Sequence, residues 1–161
     1  MSKTQTLEAG HLEAALNFLL DETFDQVHGI YLDRGTSLFE TLATISAGEA
    51  SIPVGDRCAT LAAQVKHIAF YLDVVVESMQ DPNMPPADWD KIWRTVSTVD
   101  EKGWAEMREE LRVAYHGVKQ WISEKSAWES ERQIGEAIAI IAHTAYHLGE
   151  IRQALCTLKP V

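Results

Sequence analysis

The chain has 161 residues, room for one domain, and its 46% apolar and 24% charged residues are the balance of an ordinary globular protein. It carries 24 acidic and 14 basic side chains, a formal net charge of −10. A surface of that sign repels a phosphate backbone and an anionic bilayer alike, which counts against a general nucleic-acid or membrane binder.

The dominant period along the chain is helical. From about Leu7 to Val27, the residues Leu12, Ala15, Leu16, Leu19, Thr23 and Val27 fall on one stripe, which Phe18 and Leu20 widen. Gly29 and Gly35 mark a loop, Thr36 to Ile45 reads as a short helix, and Gly48 to Gly55, with Pro53, breaks it. A second long helix is predicted from about Asp56 to Met79, with Leu61, Val65, Ile68, Leu72, Val75 and Met79 on one stripe. Ala62, Ala63, Ala69, Phe70 and Val74 form another apolar face, so this helix is expected to be buried on much of its circumference. Val74, Val75 and Val76 have strand propensity, but the surrounding period overrides it. Pro82 stops the helix and Pro85-Pro86 keeps it from resuming. The linker that follows, to about Ser97, holds Trp89 and Trp93.

Thr98 and Glu101 read as a capping box opening the third long helix, whose core stripe is Trp104, Met107, Leu111, Ala114, Tyr115, Val118 and Ile122. Asp100, Glu101 and Glu106 lie where the helix dipole favours negative charge, so part of the acidic excess has a local role. Ser130 and Gln133 make another box, and the fourth helix runs from about Glu131 to Thr157, with Pro160 beyond it. Four long amphipathic helices and no convincing strand predict an all-α four-helix bundle in a single domain. The connection between the first two is long enough for a crossover. The short one between the last two predicts antiparallel neighbours.

Cys58 and Cys156 stand in no C-x-x-C. The opening Met1-Ser2-Lys3-Thr4 leads into polar residues with no apolar core of a signal peptide, and stretches such as Ala137 to Ala142 are too short to span a bilayer. The expectation is a cytoplasmic protein with reduced thiols.

The six histidines separate by position. His116 shares a face with Glu109, Arg112 and Gln120, His28 falls in a loop, and His11 lies near the start of the first helix. His143 and His147, at i and i+4 on the fourth helix, share a stripe with Ile140, Ile151 and Ala154. His67 lies among Ala63, Phe70 and Val74 on the second helix. Each alone reads first as a core histidine satisfied by a hydrogen bond. Together they ask for more, because a buried imidazole left unpaired costs about 1–3 kcal/mol. A divalent metal satisfies several at once, and three protein ligands with an open position is the layout of a catalytic site. On sequence alone a plain core stands beside this reading. Thr144 and Ala145 follow His143, so the H-E-x-x-H of a metalloprotease is absent. Glu8 to His11 is the only Glu-x-x-His, too few for a di-iron carboxylate bundle. A haem held by two histidines fits a set of three less well.

A histidine on the second helix followed by His-x-x-x-His on the fourth resembles the DinB/YfiT-like metalloenzyme family. The matching segments are Ala62-Ala63-Gln64-Val65-Lys66-His67-Ile68-Ala69-Phe70-Tyr71-Leu72 and Ala142-His143-Thr144-Ala145-Tyr146-His147-Leu148-Gly149-Glu150-Ile151-Arg152, with the linker Asp88-Trp89-Asp90 to Trp93 also similar. The resemblance covers essentially the whole chain. It implies a divalent metal on His67, His143 and His147 at one end of a crossed-over, often dimeric bundle. It also implies activity as a transferase or isomerase that uses a low-molecular-weight thiol, although other members carry only a DNA-damage-induced name. Many relatives have Gln where this chain has Glu150, which is expected to support a ligand or be solvated rather than be a fourth ligand. Tyr71 and Tyr146 are within about a turn of the histidines and can line a pocket, with core packing the expectation for both. Imidazole suits Zn, Ni, Cu and Fe alike; Zn and Ni stand first, with Fe or Mn behind. No residue stands out as a general base. A thiolate and a hydroxide nucleophile, hence a thiol transferase and a hydrolase, stay open, as does a non-catalytic dimeric bundle.

Overall fold

The structure, a computed structural model, describes residues 8–158 apart from 57, 82 and 126. The readings made on Met1 to Thr4, Leu7, Pro82 and Pro160 lie outside the described residues. Seven α-helices are formed among the described residues, in the order α1 (Ala9–Phe24), α2 (Leu38–Leu42), α3 (Ala47–Ala50), α4 (Leu61–Gln80), α5 (Asp90–Thr95), α6 (Glu101–Ser123) and α7 (Glu131–Leu158). No helix among them is long and apolar enough to cross a membrane.

Local chemistry sets these boundaries. α4 begins at Leu61 rather than Asp56, because Gly55 takes φ 60°, a left-handed turn that no α-helix contains, and Thr60 then caps the helix by accepting from the Ala63 N–H at 3.2 Å. The three valines stay helical, with Val75 buried. α6 is not opened by a Thr98–Glu101 box. Its N-cap is Asp100, whose Oδ1 accepts from the Gly103 N–H at 2.7 Å. At α7, Ser130 Oγ accepts from the Gln133 N–H, but Gln133 answers to the Glu129 N–H, one residue before the position a box requires. Two short helices were not predicted. In α3, Ser46 and Glu49 cap reciprocally at the edge of the stretch read as a break, and α5 forms inside the linker.

Four long helices share one core. α4 packs on α6 and α7, and α1 packs on the same two. α6 and α7 therefore face each other across the core rather than lying side by side, contrary to the expectation from their short connection. Residues 124–130 join them, and such a segment reaches up to about 23 Å, more than a helix diagonal requires. α1 and α4 are also opposite, and residues 25–60 with α2 and α3 make the crossing.

Leu61, Val65, Ile68 and Leu72 of α4 and Leu111, Val118 and Ile122 of α6 are buried in the common core, each contributing roughly 1.5–3 kcal/mol. Phe24, Phe39 and Tyr115 form an aromatic cluster where α1 and α2 meet α6, with Phe24 and Tyr115 stacked at 4.7 Å. Trp104 donates its indole N–H to the Ile45 carbonyl at 2.8 Å, fixing α6 to the crossing segment. On α1 the buried face turns to Leu16, Leu20, Thr23 and Phe24, while Ala15 is exposed and Phe18 stacks outside on His28. Buried among these apolar neighbours is a residue the stripe did not include, Glu22. Gly29, at φ 83°, turns the following chain so that the N–H groups of Ile30, Tyr31 and Leu32 converge on its carboxylate at 3.0, 2.7 and 2.8 Å. Burial pushes this carboxyl up, but the converging backbone N–H groups outweigh it and hold the pKa below the ordinary 4.5.

Candidate metal centre

α4 and α7 are neighbours, and their facing stripes bring His67, His143 and His147 together. One nitrogen from each ring lies within 4.8 Å of the other two; among the described residues this is the one such group of metal-capable side chains. His67 and His147 are buried and His143 half-buried. His67 Nε2 and His143 Nε2 are 3.2 Å apart.

Two nitrogens bound to one tetrahedral zinc at about 2.0–2.1 Å stand about 3.4 Å from each other. The observed 3.2 Å fits that separation. It also fits a long N–H···N bond between two neutral rings. The third imidazole has no place in such a pair, yet it sits with its ring centre 4.9 Å from that of His67 and 4.6 Å from that of His143. The three rings together could hold a metal ion.

The surroundings fix protonation and orientation. His147 Nδ1 is 2.9 Å from Glu150 Oε2. A carboxylate only accepts, so Nδ1 carries the proton and Nε2 is left with its lone pair. This pairing is the usual support of a ligating histidine. Burial lowers the His147 pKa, partly offset by the Glu150 charge and hydrogen bond. Burial and then the neighbouring His147 push His67 down to about 4, and burial followed by His147 and His67 does the same for His143. Both are therefore neutral near pH 7, the form a metal requires. His67 Nδ1 is buried without a hydrogen-bond partner.

The aromatic side chains divide unequally. Tyr71 stacks on His143, ring centres 3.9 Å apart and planes at 24°, and so holds that ring's orientation while remaining part of the packing. Burial raises its pKa. Tyr146 does not pack in the core as expected. It is 61% exposed, because its position, about 100° round α7 from His147, faces out, and it meets the His147 ring edge at 5.1 Å. Its hydroxyl bonds to Glu150, whose carboxylate raises its pKa. Trp93, from the linker, lies against His67 with ring centres 4.6 Å apart.

A cavity of about 350 Å³ opens beside the histidines, lined by Cys58, Gln64, Trp93, Tyr146, His147 and Glu150. Neither Cys58 nor Gln64 reads as a site residue in the sequence. Gln64 precedes His67 by three residues, so its presence on the same face was legible; Cys58 arrives from the crossing segment, which no helical period describes. Both cysteines are free and exposed. The other histidines stay apart: His11 and His116 are exposed, and His28 pairs with Asp21 at 2.7 Å.

No family model matches the chain, and neither the comparison with curated proteins nor that with solved structures gives a match.

Proposed function

We propose that His67, His143 and His147 hold a divalent metal ion and that the protein is a metal-dependent enzyme, a four-helix bundle of the DinB/YfiT-like type acting with a low-molecular-weight thiol. The observation that carries this reading is the convergence of three imidazole nitrogens within 4.8 Å, one of them oriented by a carboxylate. A metal bound there supplies Lewis acidity, which lowers the pKa of a thiol or of water toward neutrality.

The chain's own residues do the remaining work. Glu150 keeps the His147 proton on Nδ1 and so presents Nε2 as a donor atom. Tyr71 holds the His143 ring by stacking, and Trp93 shields His67 on the cavity side. The cavity is large enough for a small organic molecule beside the histidines. Zn and Ni are the metals proposed first, with Fe or Mn behind, since imidazole nitrogen is the whole protein donor set.

Homodimerisation and a small-molecule substrate belong to the same proposal and rest on the resemblance. The charge of −10 keeps nucleic acid outside it. A second reading, hydrolysis, is favoured by one observation: Glu150, which lines the cavity while bonded to His147, is a carboxylate placed to accept a proton from water.

The test begins with metal analysis of protein purified without a His tag. One equivalent of a first-row metal is expected in the wild type and none in His143→Ala, with unchanged helical circular dichroism. Equal metal content in the two would refute the assignment. An activity panel of electrophiles with several thiols then separates the readings: turnover requiring both thiol and metal supports the transferase, and turnover with water alone supports the hydrolase.

A further inference from the structure

α6 carries a second cluster, on the side away from the histidines. Lys66 of α4 pairs with Glu110, so Glu110 faces α4. Arg108 and Arg112 are each two positions from Glu110, about 200° round the helix, and so lie on its opposite side. A cavity of about 220 Å³ opens there between α6 and the α2 segment, lined by Phe39, Ala43, Ala105, Arg108, Glu109 and Arg112.

Neither arginine has a hydrogen-bonded carboxylate, although the chain holds 24 acidic side chains. Among the described residues no carboxylate lies within 4.0 Å of Arg108, and Asp25 Oδ1 stands 3.8 Å from Arg112 Nη1, too far for a hydrogen bond. Aromatic rings hold the two side chains instead. The Arg112 guanidinium carbon lies 4.0 Å from the centre of the Phe39 ring, and that of Arg108 lies 5.6 Å from the centre of a Trp104 ring. A guanidinium held over a ring keeps the N–H donors at its edge for another partner. Arg108 Nε is covered and unpaired, so its terminal nitrogens are the donors left for a ligand. Two guanidiniums bordering one small cavity also repel each other, and an anion between them relieves that.

The charge count selects the anion. Two guanidiniums and the Glu109 carboxylate leave the cavity wall at +2 − 1 = +1. That matches a carboxylate, whereas a phosphate monoester carries about −1.5 to −2 at pH 7 and would meet Glu109 with excess charge. Ala43 and Ala105, both exposed, offer methyl groups to a short aliphatic tail.

We propose that this cavity binds a small organic monocarboxylate, held by Arg108 and Arg112, at a site separate from the histidine centre.

Propionate and propionamide test this, since they match in size and differ in charge. Each is titrated into the full-length chain as purified while NMR follows the Ala43 and Ala105 methyl groups, with the Trp93 indole N–H reporting on the histidine cavity. Propionate is expected to give saturating shifts at the two alanines. Propionamide is expected to bind at least about tenfold more weakly, having lost the charge-assisted bonds. Arg108→Gln breaks no ion pair, so it is expected to fold, as a melting curve checks, and to weaken propionate binding at least about tenfold. Arg108→Lys is expected to restore part of that loss, through charge without the planar fork. Arg112→Gln repeats the reading from the other guanidinium. The absence of saturable shifts, equal binding of propionamide, or wild-type propionate affinity in both Gln variants would overturn the proposal. So would shifts confined to Trp93, or tighter binding of ethyl phosphate than of propionate.

Discussion

Replacing Glu150 tests how the histidine centre is supported. In Glu150→Ala the His147 Nδ1–H loses the acceptor 2.9 Å away, and with its side chain only 7% exposed little water can replace that acceptor. Loss of such a partner costs about 10–100-fold in metal affinity, or about 1.4–2.8 kcal/mol. The upper end is expected, because the bond is charge-assisted and nothing else fixes which ring nitrogen carries the proton. Glu150→Gln keeps an acceptor in place and loses only the charge, so a loss of about tenfold or less is expected. Proton competition runs the other way. The carboxylate raises the His147 pKa against burial, so removing it lets that pKa fall further and frees the ring for metal at lower pH. The loss in affinity is therefore expected to be larger at pH 8 than at pH 6. A zinc competition titration against a chromophoric chelator at both values measures this. Glu150 is 38% exposed, so both variants are expected to fold. Wild-type affinity in Glu150→Ala, or a greater loss in Gln than in Ala, would refute the reasoning.

Glu22→Gln is expected to lower stability by about 2–4 kcal/mol in urea denaturation, since a neutral amide oxygen replaces a carboxylate serving three backbone N–H groups. The Glu22 pKa is depressed in the folded state, so its contribution is full above the unfolded value of 4.5 and is lost as pH falls through the lower folded value. The gap between wild type and variant should accordingly close below pH 4.5 and stay open above it; a gap independent of pH would contradict the ionised nest. Co(II) or Ni(II) binding should quench part of the tryptophan fluorescence through Trp93, whose ring lies 4.6 Å from His67. Trp93→Phe should lose part of that quench at unchanged metal stoichiometry, with Trp89, whose ring lies 6.4 Å from His67, keeping the rest, and an undiminished quench would place the metal elsewhere.

The parts of the centre legible in the sequence were those whose neighbours lie on their own helix. His143 and His147 declare a shared face by their spacing, and His67 is set off by the apolar residues around it. Glu150 was legible as a support for the same reason, being one turn from His147. Glu22 was not, because its partners are backbone N–H groups of residues 30–32, brought together by the turn at Gly29 and by no side-chain pattern. The placing of α6 opposite α7 was also out of reach, since a connection of given length sets only the greatest distance between helix ends. The short helix α3 was legible in principle: Ser46 and Glu49 stand at capping-box spacing, but the nearby Gly48, Gly55 and Pro53 weigh toward a break.

What separates the centre from the fold is where the packing lies. The α4–α6 contact and the Phe24–Phe39–Tyr115 cluster bury large apolar side chains with no help from a histidine. The histidines sit on the other contact of α4, against α7, a helix that also buries Ala137, Ile140, Leu148 and Ile151 in the common core. A helix pair held together by its metal would leave that contact short of apolar burial, as in small zinc domains that unfold without their ion. Here Ile140, Leu148 and Ile151 are each at most 1% exposed, so apolar burial anchors α7 in the core without the histidines. A chelator is therefore expected to strip the site and leave the helices folded, and a cooperative loss of helical circular dichroism on adding it would mean that the three imidazoles serve structure instead of chemistry.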